Sequence, residues 1–322
     1  MYVINKVLLQ HNGTIRKFVL DLYNVRGIGI SNRPQSHDVD QLLLLVTQKG
    51  VEEIYISFLL NGYKLPNCIF SCLALKRLHL YAVIVDEINF PPNRHIFPNV
   101  LSICFECVEF VPTNLQDYTL NIPQLETLSF LNCRNICHFN IITPKLCSLT
   151  FKSSSSDVHG KFLPINLDLR SICTLDLEGP LRKIVEEFAR MEFPQLNVEY
   201  LKLSCYPSSA FVHLLRQCPK LCKLHIDLLP MPKNEEAMSE LLSNLHANQT
   251  NEMIHALKLD SFRGLRCEIL FIKALLANFL ALEKVVVIRH HQRLFLTYDE
   301  VTIIQELLHF PRASTKAEII LV

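Results

Sequence analysis

The chain has 322 residues, 49% of them hydrophobic, which is enough for a large core in one extended domain or two compact ones. Its 32 basic residues balance 31 acidic ones, leaving no charge excess to suggest a broad nucleic-acid or anionic-membrane surface. With 8 glycines and no tryptophan, glycine-rich phosphate loops are not expected.

At the start, Asn5, Lys6, Gln10 and His11 break any signal-peptide core, and the longest nearby aliphatic run, Leu42 to Val46, is too short to span a bilayer. An intracellular protein is expected, cytoplasmic or nuclear, with its 12 cysteines reduced and structural. Asp38 to Gly50 has helical spacing, with Asp38 as candidate N-cap and Gly50 as the stop.

From Val51 onward a frame of apolar-x-x-apolar-x-apolar recurs. It starts at Val51, Leu75, Val100, Leu125, Leu146, Ile172, Val198 and Leu221, at intervals of 24, 25, 25, 21, 26, 26 and 23 residues. Leucine-rich repeats have periods of roughly 20–29 residues. Proline stands two residues ahead of the frame at Pro98, Pro123, Pro144 and Pro219. The residue between the last two apolar positions is non-aliphatic in each strand from Tyr55 to Lys258, so each strand should have one core face and one wet face. This predicts an α/β leucine-rich-repeat solenoid with a concave parallel sheet. Of the connecting arms, Leu181 to Met191 and Ser209 to Gln217 read as helices, whereas the proline-rich arm 91–98 cannot be a long one.

The pattern lapses between Leu229 and Glu252. The expected organisation is therefore repeats over 1–228, a linker over 229–252 and a final domain over 253–322 that continues the array. In that last part the order is strand (Ile254 to Leu259), helix (Glu268 to Phe279), strand (Leu282 to Ile288), helix (Asp299 to His309) and a closing aliphatic strand up to Val322. Strand-centre residues turn aliphatic at Val19, Val286 and Leu321, and those strands are expected to be buried on both faces.

Residues Phe262, Gly264, Glu268, Leu275, Leu276, Asn278, Leu282, Glu283, Pro311, Arg312, Ala313 and Ser314 stand in an order and spacing that resemble the FBD domain of plant F-box/FBD/leucine-rich-repeat proteins. Gly50 to Ile56, Tyr63 to Pro66 and Phe70 to Leu80 resemble the first repeats of the same family. The resemblance implies a non-enzymatic receptor that brings a protein substrate to a ubiquitin ligase, without cofactor. Family members begin with an F-box that docks on a Skp-type adaptor and so joins a cullin. Here Met1 to Gly13 resembles the stretch that follows such a box. Adaptor and cullin are thus expected as partners only where a box lies upstream; a box-less decoy and a truncated copy are the alternatives.

The candidate partner-binding residues are the outward positions of the strands: Arg77 and His79, Thr127 and Ser129, Thr174 and Asp176, Tyr200 and Lys202, Lys223 and His225. Their mixed charge, with Tyr200 as an aromatic anchor, suits a protein surface better than a phosphate backbone. Other constellations point to structure before chemistry. Cys104-Phe-Glu-Cys107 has no second pair for zinc, and Cys133 sits where such repeats bury a Cys or Asn against loop backbone. His290-His291 falls at a turn. Ser153 to Ser156 with His159 is the one distant hydrolase alternative, in a polar loop without a nucleophile motif. No metal, nucleic acid or membrane partner is expected.

Overall fold

A computed structural model describes residues 7–22, 36–58, 62–86, 96–111, 118–136, 139–153, 167, 169–179, 195–204, 209–228, 243, 245, 253–290 and 300–322. The chain divides into two compact units, residues 1–150 with 159–168, and residues 151–158 with 169–322.

The first unit contains β1 (Lys17–Asp21), α1 (Ser36–Gln48), β2 (Glu53–Ser57), β3 (Tyr63–Lys64), α2 (Asn67–Phe70), β4 (Arg77–Tyr81) and β5 (Val83–Asp86). After these come β6 (Ser102–Glu106), β7 (Glu109–Val111), β8 (Tyr118–Asn121), β9 (Thr127–Leu131) and β10 (Phe139–Ile142). Strand β11 (Ser148–Lys152) has its first three residues in this unit and its last two in the other. Strands β1, β2, β4, β6 and β9 pair in that order, all parallel, with Val19, Tyr55, His79, Cys104 and Ser129 on one row. A second parallel sheet, β3-β5-β7, and the parallel pair β8–β10 form the connecting arms.

The apolar frame explains this register. Ile54 and Ile56, Leu78 and Leu80, Ile103 and Phe105, and Leu128 and Phe130 are all buried on the core side of their strands. Burying each such side chain stabilises by about 1.5–3 kcal/mol, and a slip of one residue would turn the whole set to solvent. The prolines act one step earlier. Each of Pro98, Pro123, Pro144 and Pro219 occupies the second position of a turn closed by a backbone bond: Val100 N to Phe97 O, Leu125 N to Ile122 O, Leu146 N to Thr143 O and Leu221 N to Cys218 O. Proline fixes the backbone angle that this position needs. Ala82, Cys107 and Asn132, directly after β4, β6 and β9, all have positive φ, so equivalent residues turn the chain out of successive strands.

Helix α1 begins at Ser36, so Asp38 lies in its first turn, where a carboxylate faces the positive helix end, and is not the N-cap. Val39, Leu42, Leu43 and Val46 form its buried stripe. Gly50, with φ of 72°, follows in the left-handed region.

The second unit contains β12 (Thr174–Glu178), β13 (Tyr200–Ser204), α3 (Ser209–Gln217), β14 (Lys223–Asp227), β15 (Ala256–Phe262), α4 (Arg266–Asn278), β16 (Lys284–Arg289), α5 (Glu300–His309) and β17 (Glu318–Leu321). Strands β12 to β17 pair consecutively and in parallel, with Asp176, Lys202, His225, Lys258, Val286 and Ile320 on one row. The helices expected at Ser209–Gln217, near Glu268 and near Asp299 are present as α3, α4 and α5, Asp299 itself lying outside the described residues. The arms expected over 181–191 and 91–95 also lie outside, as does the linker at 229–252 apart from Ser243 and Leu245.

The expected burial of the terminal strands is corrected on two points. Val19 is 53% exposed, and Val286, Ile320 and Leu321 are only half-buried. The strand-centre residue of β17 is Ile320, because Ile319 and Leu321 pair with the core residues Val285 and Val287. The reason is positional. Val19, Val286 and Ile320 lie on the outward row of their strands, opposite the buried frame, and β1 and β17 also end the order of described strands.

Gly179 marks a close approach within the second unit. Its φ is 128°, and a Cβ there would stand 2.7 Å from the Ser153 carbonyl oxygen. Replacing Gly179 by Ala is expected to lower stability by about 1–3 kcal/mol, the cost of a side chain in that backbone region, with the clash adding to it. An unchanged urea midpoint in the variant would contradict this.

Candidate functional site

The in-register parallel pairing places every outward residue beside its counterparts on the neighbouring strands, about 4.8 Å apart. In the first unit the outward face is cross-linked by polar contacts. Arg77 forms an ion pair and hydrogen bond with Glu53. His79 lies 3.2 Å from Glu106 through Nε2, and the Tyr55 ring meets it edge-on with centroids 4.7 Å apart. Towards β9 the face becomes small and uncharged at Ser102, Cys104, Thr127 and Ser129, all half-buried. Burial, with Glu106 nearby, pushes the Cys104 thiol up to about 11, so it stays protonated and a poor nucleophile.

The second unit carries a longer chain of contacts. Lys152 reaches Glu178 at 3.3 Å and Asp176 at 3.9 Å, and Lys202 reaches Asp176 at 3.5 Å. Tyr200 Oη lies 3.1 Å from His225 Nδ1, and His225 Nε2 lies 2.5 Å from Asp260 Oδ2. Lys258 donates to the same Asp260 oxygen at 3.1 Å. Thr174 is half-buried and Lys223 exposed at the ends of their strands. His225 stands on this face yet is only 7% exposed, because Tyr200 and Asp260 bracket it.

Burial lowers the His225 pKa below its ordinary value, outweighing the hydrogen bond and charge of Asp260 that raise it. For Asp260 the balance falls the other way. Burial alone would raise its pKa, but the bonds from His225 and Lys258 hold the carboxyl below its usual range. Burial, with Asp176 and Asp260 nearby, raises that of Tyr200. A carboxylate–imidazole–hydroxyl chain has the connectivity of a nucleophile relay, but here the terminal phenol is made less acidic, which suits anchoring rather than attack.

Lys152, Glu178 and Asp260 belong to this face although the frame of two flanking positions leaves them out, and they join Lys258, which the frame does place there. Parallel register exposes a third alternate position in each strand. Extending the alternation by one step reaches all three, Lys152, Glu178 and Asp260.

The remaining constellations resolve into structure. Cys133 Sγ donates to the carbonyl oxygens of Phe105 at 3.2 Å and Leu131 at 3.7 Å, and burial pushes its thiol up to about 12. This is the backbone-satisfying role expected from its place in the repeat. Cys137 and His138 lie outside the described residues, as do His291, Ser154 to Ser156 and His159. His290 donates its backbone N–H to Phe262, and Ser153 donates its own to Glu178. No group of His, Cys, Asp and Glu among the described residues is arranged to hold a metal ion, and no described helix is long and apolar enough to cross a membrane.

Residues 39–162 match the family model for the LRR repeats of FBD-associated F-box protein At5g56370. Nearly the whole chain aligns with the F-box/FBD/LRR-repeat protein At1g13570 of Arabidopsis thaliana, 23% identical over 358 positions that cover 98% of this chain and 82% of that protein. The chain is thus similar to an F-box/FBD/LRR-repeat protein along nearly its whole length. The segment that matches the family model begins within α1 and runs past β11.

The residues that carry the FBD resemblance form a hydrogen-bond scaffold. Glu268, fully buried, accepts from the Arg263 backbone N at 2.8 Å, Arg263 Nε at 2.7 Å and the Leu265 backbone N at 3.2 Å. It thereby serves the free N–H groups at the start of α4, while Arg263 also donates to the Leu228 carbonyl at 3.2 Å. Gly264, with φ of 74°, makes the turn after Phe262 and the irregular end of β15. Leu275, Leu276 and Leu282 are core residues, and Asn278 donates to the Ala274 carbonyl at 2.7 Å. After Pro311, Arg312 donates to the carbonyls of Ala317 and Leu308, Ala313 N–H to Leu276, and Ser314 Oγ to Leu282. Glu283 N–H bonds to His255 and its carbonyl accepts from Glu318, extending the ladder one rung to β17.

Proposed function

We propose that the chain is a non-enzymatic recognition module that receives a protein partner on the outward, concave side of its repeat strands. In this reading residues 1–228 are the repeat solenoid and 253–322 an FBD domain continuing it. The role is that of the substrate-receiving part of an F-box ubiquitin ligase, with the partner as substrate and with Skp-type adaptor and cullin engaged only where an F-box lies upstream. The observation that carries it is the half-buried polar face, ordered strand by strand and centred in the second unit on Tyr200. Rigid, partly desolvated aromatic and charged groups of this kind are the usual anchors of protein interfaces. The side chains described on that face supply no activated nucleophile, so a receptor fits better than a hydrolase.

A tagged chain expressed in plant cells tests this by quantitative co-purification. Tyr200→Ala and Ser129→Arg should each lower recovery of a common set of proteins by about 30-fold or more, as an interface residue worth at least 2 kcal/mol does. Leu44→Ser, at an exposed position on α1, should leave recovery intact. Equal recovery from all four chains, with folding verified by circular dichroism, would rule out the outward face as the binding surface.

A further inference from the structure

The Tyr200–His225–Asp260 chain fixes hydrogen-bond polarity at the outward face, which bears on what the partner presents there. An ionised carboxylate accepts and never donates, so Asp260 requires the proton of His225 on Nε2. Neutral imidazole has only one N–H, which leaves Nδ1 as an acceptor. The phenol 3.1 Å away must then donate its single proton to Nδ1. Tyr200 therefore turns only lone pairs outward.

The surrounding cations narrow the choice further. Lys202 from β13 and Lys258 from β15 face the same cluster, and Lys223 is exposed at the position paired with Tyr200. Lys202 and Lys258 are engaged with Asp176 and Asp260, while Lys223 has no ion-pair partner among the described residues. An acceptor on Tyr200 beside the free ammonium of Lys223 complements a carboxamide, whose N–H₂ meets the phenol and whose carbonyl meets the lysine. A lysine or arginine of the partner would be repelled by the ammonium groups.

We infer that the group a protein partner brings to Tyr200 at neutral pH is the carboxamide of an Asn or Gln, and that acidification shifts the preference towards the corresponding carboxylate. The inference rests on the recognition reading above. On protonation His225 carries two N–H groups, so Tyr200 accepts from Nδ1 and its own O–H is released to donate outward. Tyr200 and Lys223 are then both donors, matched to a carboxylate. The charged and titratable groups around His225 are Lys202 and Tyr200 on β13, Lys258 and Asp260 on β15, and Lys223 and Asp227 on its own strand. Because burial depresses the imidazole pKa, the change falls below the ordinary value of 6.5. Asp260, held low, remains ionised through it.

Two measurements on the full chain test this. First, ¹⁵N NMR of the His225 ring at pH 7.5 should show Nε2 protonated and Nδ1 bare; a proton on Nδ1 overturns the inference. Second, displayed random 12-residue peptides are selected on the chain at pH 7.5, and binders sensitive to Lys202→Glu are kept. Their contact position should favour Asn or Gln. Changing that residue to Asp or Glu should weaken binding about tenfold, the size of one hydrogen bond, with the gap closing at pH 5. Tyr200→Phe should abolish the discrimination. An equal or stronger acidic binder at pH 7.5, or a preference that ignores pH or Tyr200→Phe, overturns the inference alone. Selected peptides that all ignore Lys202→Glu, Tyr200→Ala and Ser129→Arg overturn the recognition reading with it.

Discussion

A Glu268→Ala chain is expected to lose about 3–5 kcal/mol from the stability of the second unit, because removing one partner of a buried ion pair strands the other charge. The carboxylate is fully buried and takes three donated bonds from Arg263 and Leu265, while Arg263 holds the Leu228 carbonyl. Its loss leaves a guanidinium and two backbone N–H groups without their acceptor. Glu268→Gln should be milder, since it keeps one carbonyl acceptor but turns an N–H₂ towards those donors. Burial raises the Glu268 pKa above its usual 4.5 in spite of Arg263. A folded value above the unfolded one means a contribution that favours the fold in acid and fades as pH rises through the folded value. That segment of the pH–stability curve should flatten in Glu268→Gln. Urea unfolding followed by circular dichroism checks both statements, the chain having no tryptophan to report on. A midpoint for Glu268→Ala equal to that of the parent would show that the buried pair contributes nothing.

Phe271→Ala should cost a similar amount, about 3–5 kcal/mol, through the cavity left at a fully buried aromatic site. Phe271 on α4 meets Phe211 on α3 edge-on, with ring centroids 5.9 Å apart. Both rings are almost wholly inaccessible, at 0% and 1% exposure, so neither site can collapse onto solvent-facing neighbours. A double-mutant cycle with Phe211→Ala separates the ring pair from simple burial. A coupling of about 0.5–1.5 kcal/mol is expected for the edge-to-face contact, and none if the two rings only fill space independently.

Much of the repeat sheet is legible in the amino-acid sequence. Leu78 and Leu80, or Leu175 and Leu177, announce a strand because a two-residue period has only one way to bury both, and Pro98 or Pro219 marks the turn before it. The FBD resemblance likewise located Glu268, Leu282 and Ser314, though not that Glu268 pairs with Arg263 or that Ser314 bonds to the Leu282 carbonyl. At the end of the chain the frame was misplaced by one residue. Glu-Ile-Ile-Leu-Val contains no polar residue after Glu318 to show which side faces the core, and only pairing with Val285 and Val287 assigns Ile320 to the outward row.

The candidate face divides along the same line. The order of residues along the chain dictates which of them alternate outward, since alternation is a property of one strand and needs no knowledge of its neighbours. It could not determine that His225 is bracketed by Tyr200 and Asp260, 25 and 35 residues away. Those distances cross connecting arms of unequal length, and nothing local specifies which polar residue arrives beside which. Parallel pairing decided it, bringing the three side chains together, removing His225 from water and so setting both its protonation and the direction of its hydrogen bonds.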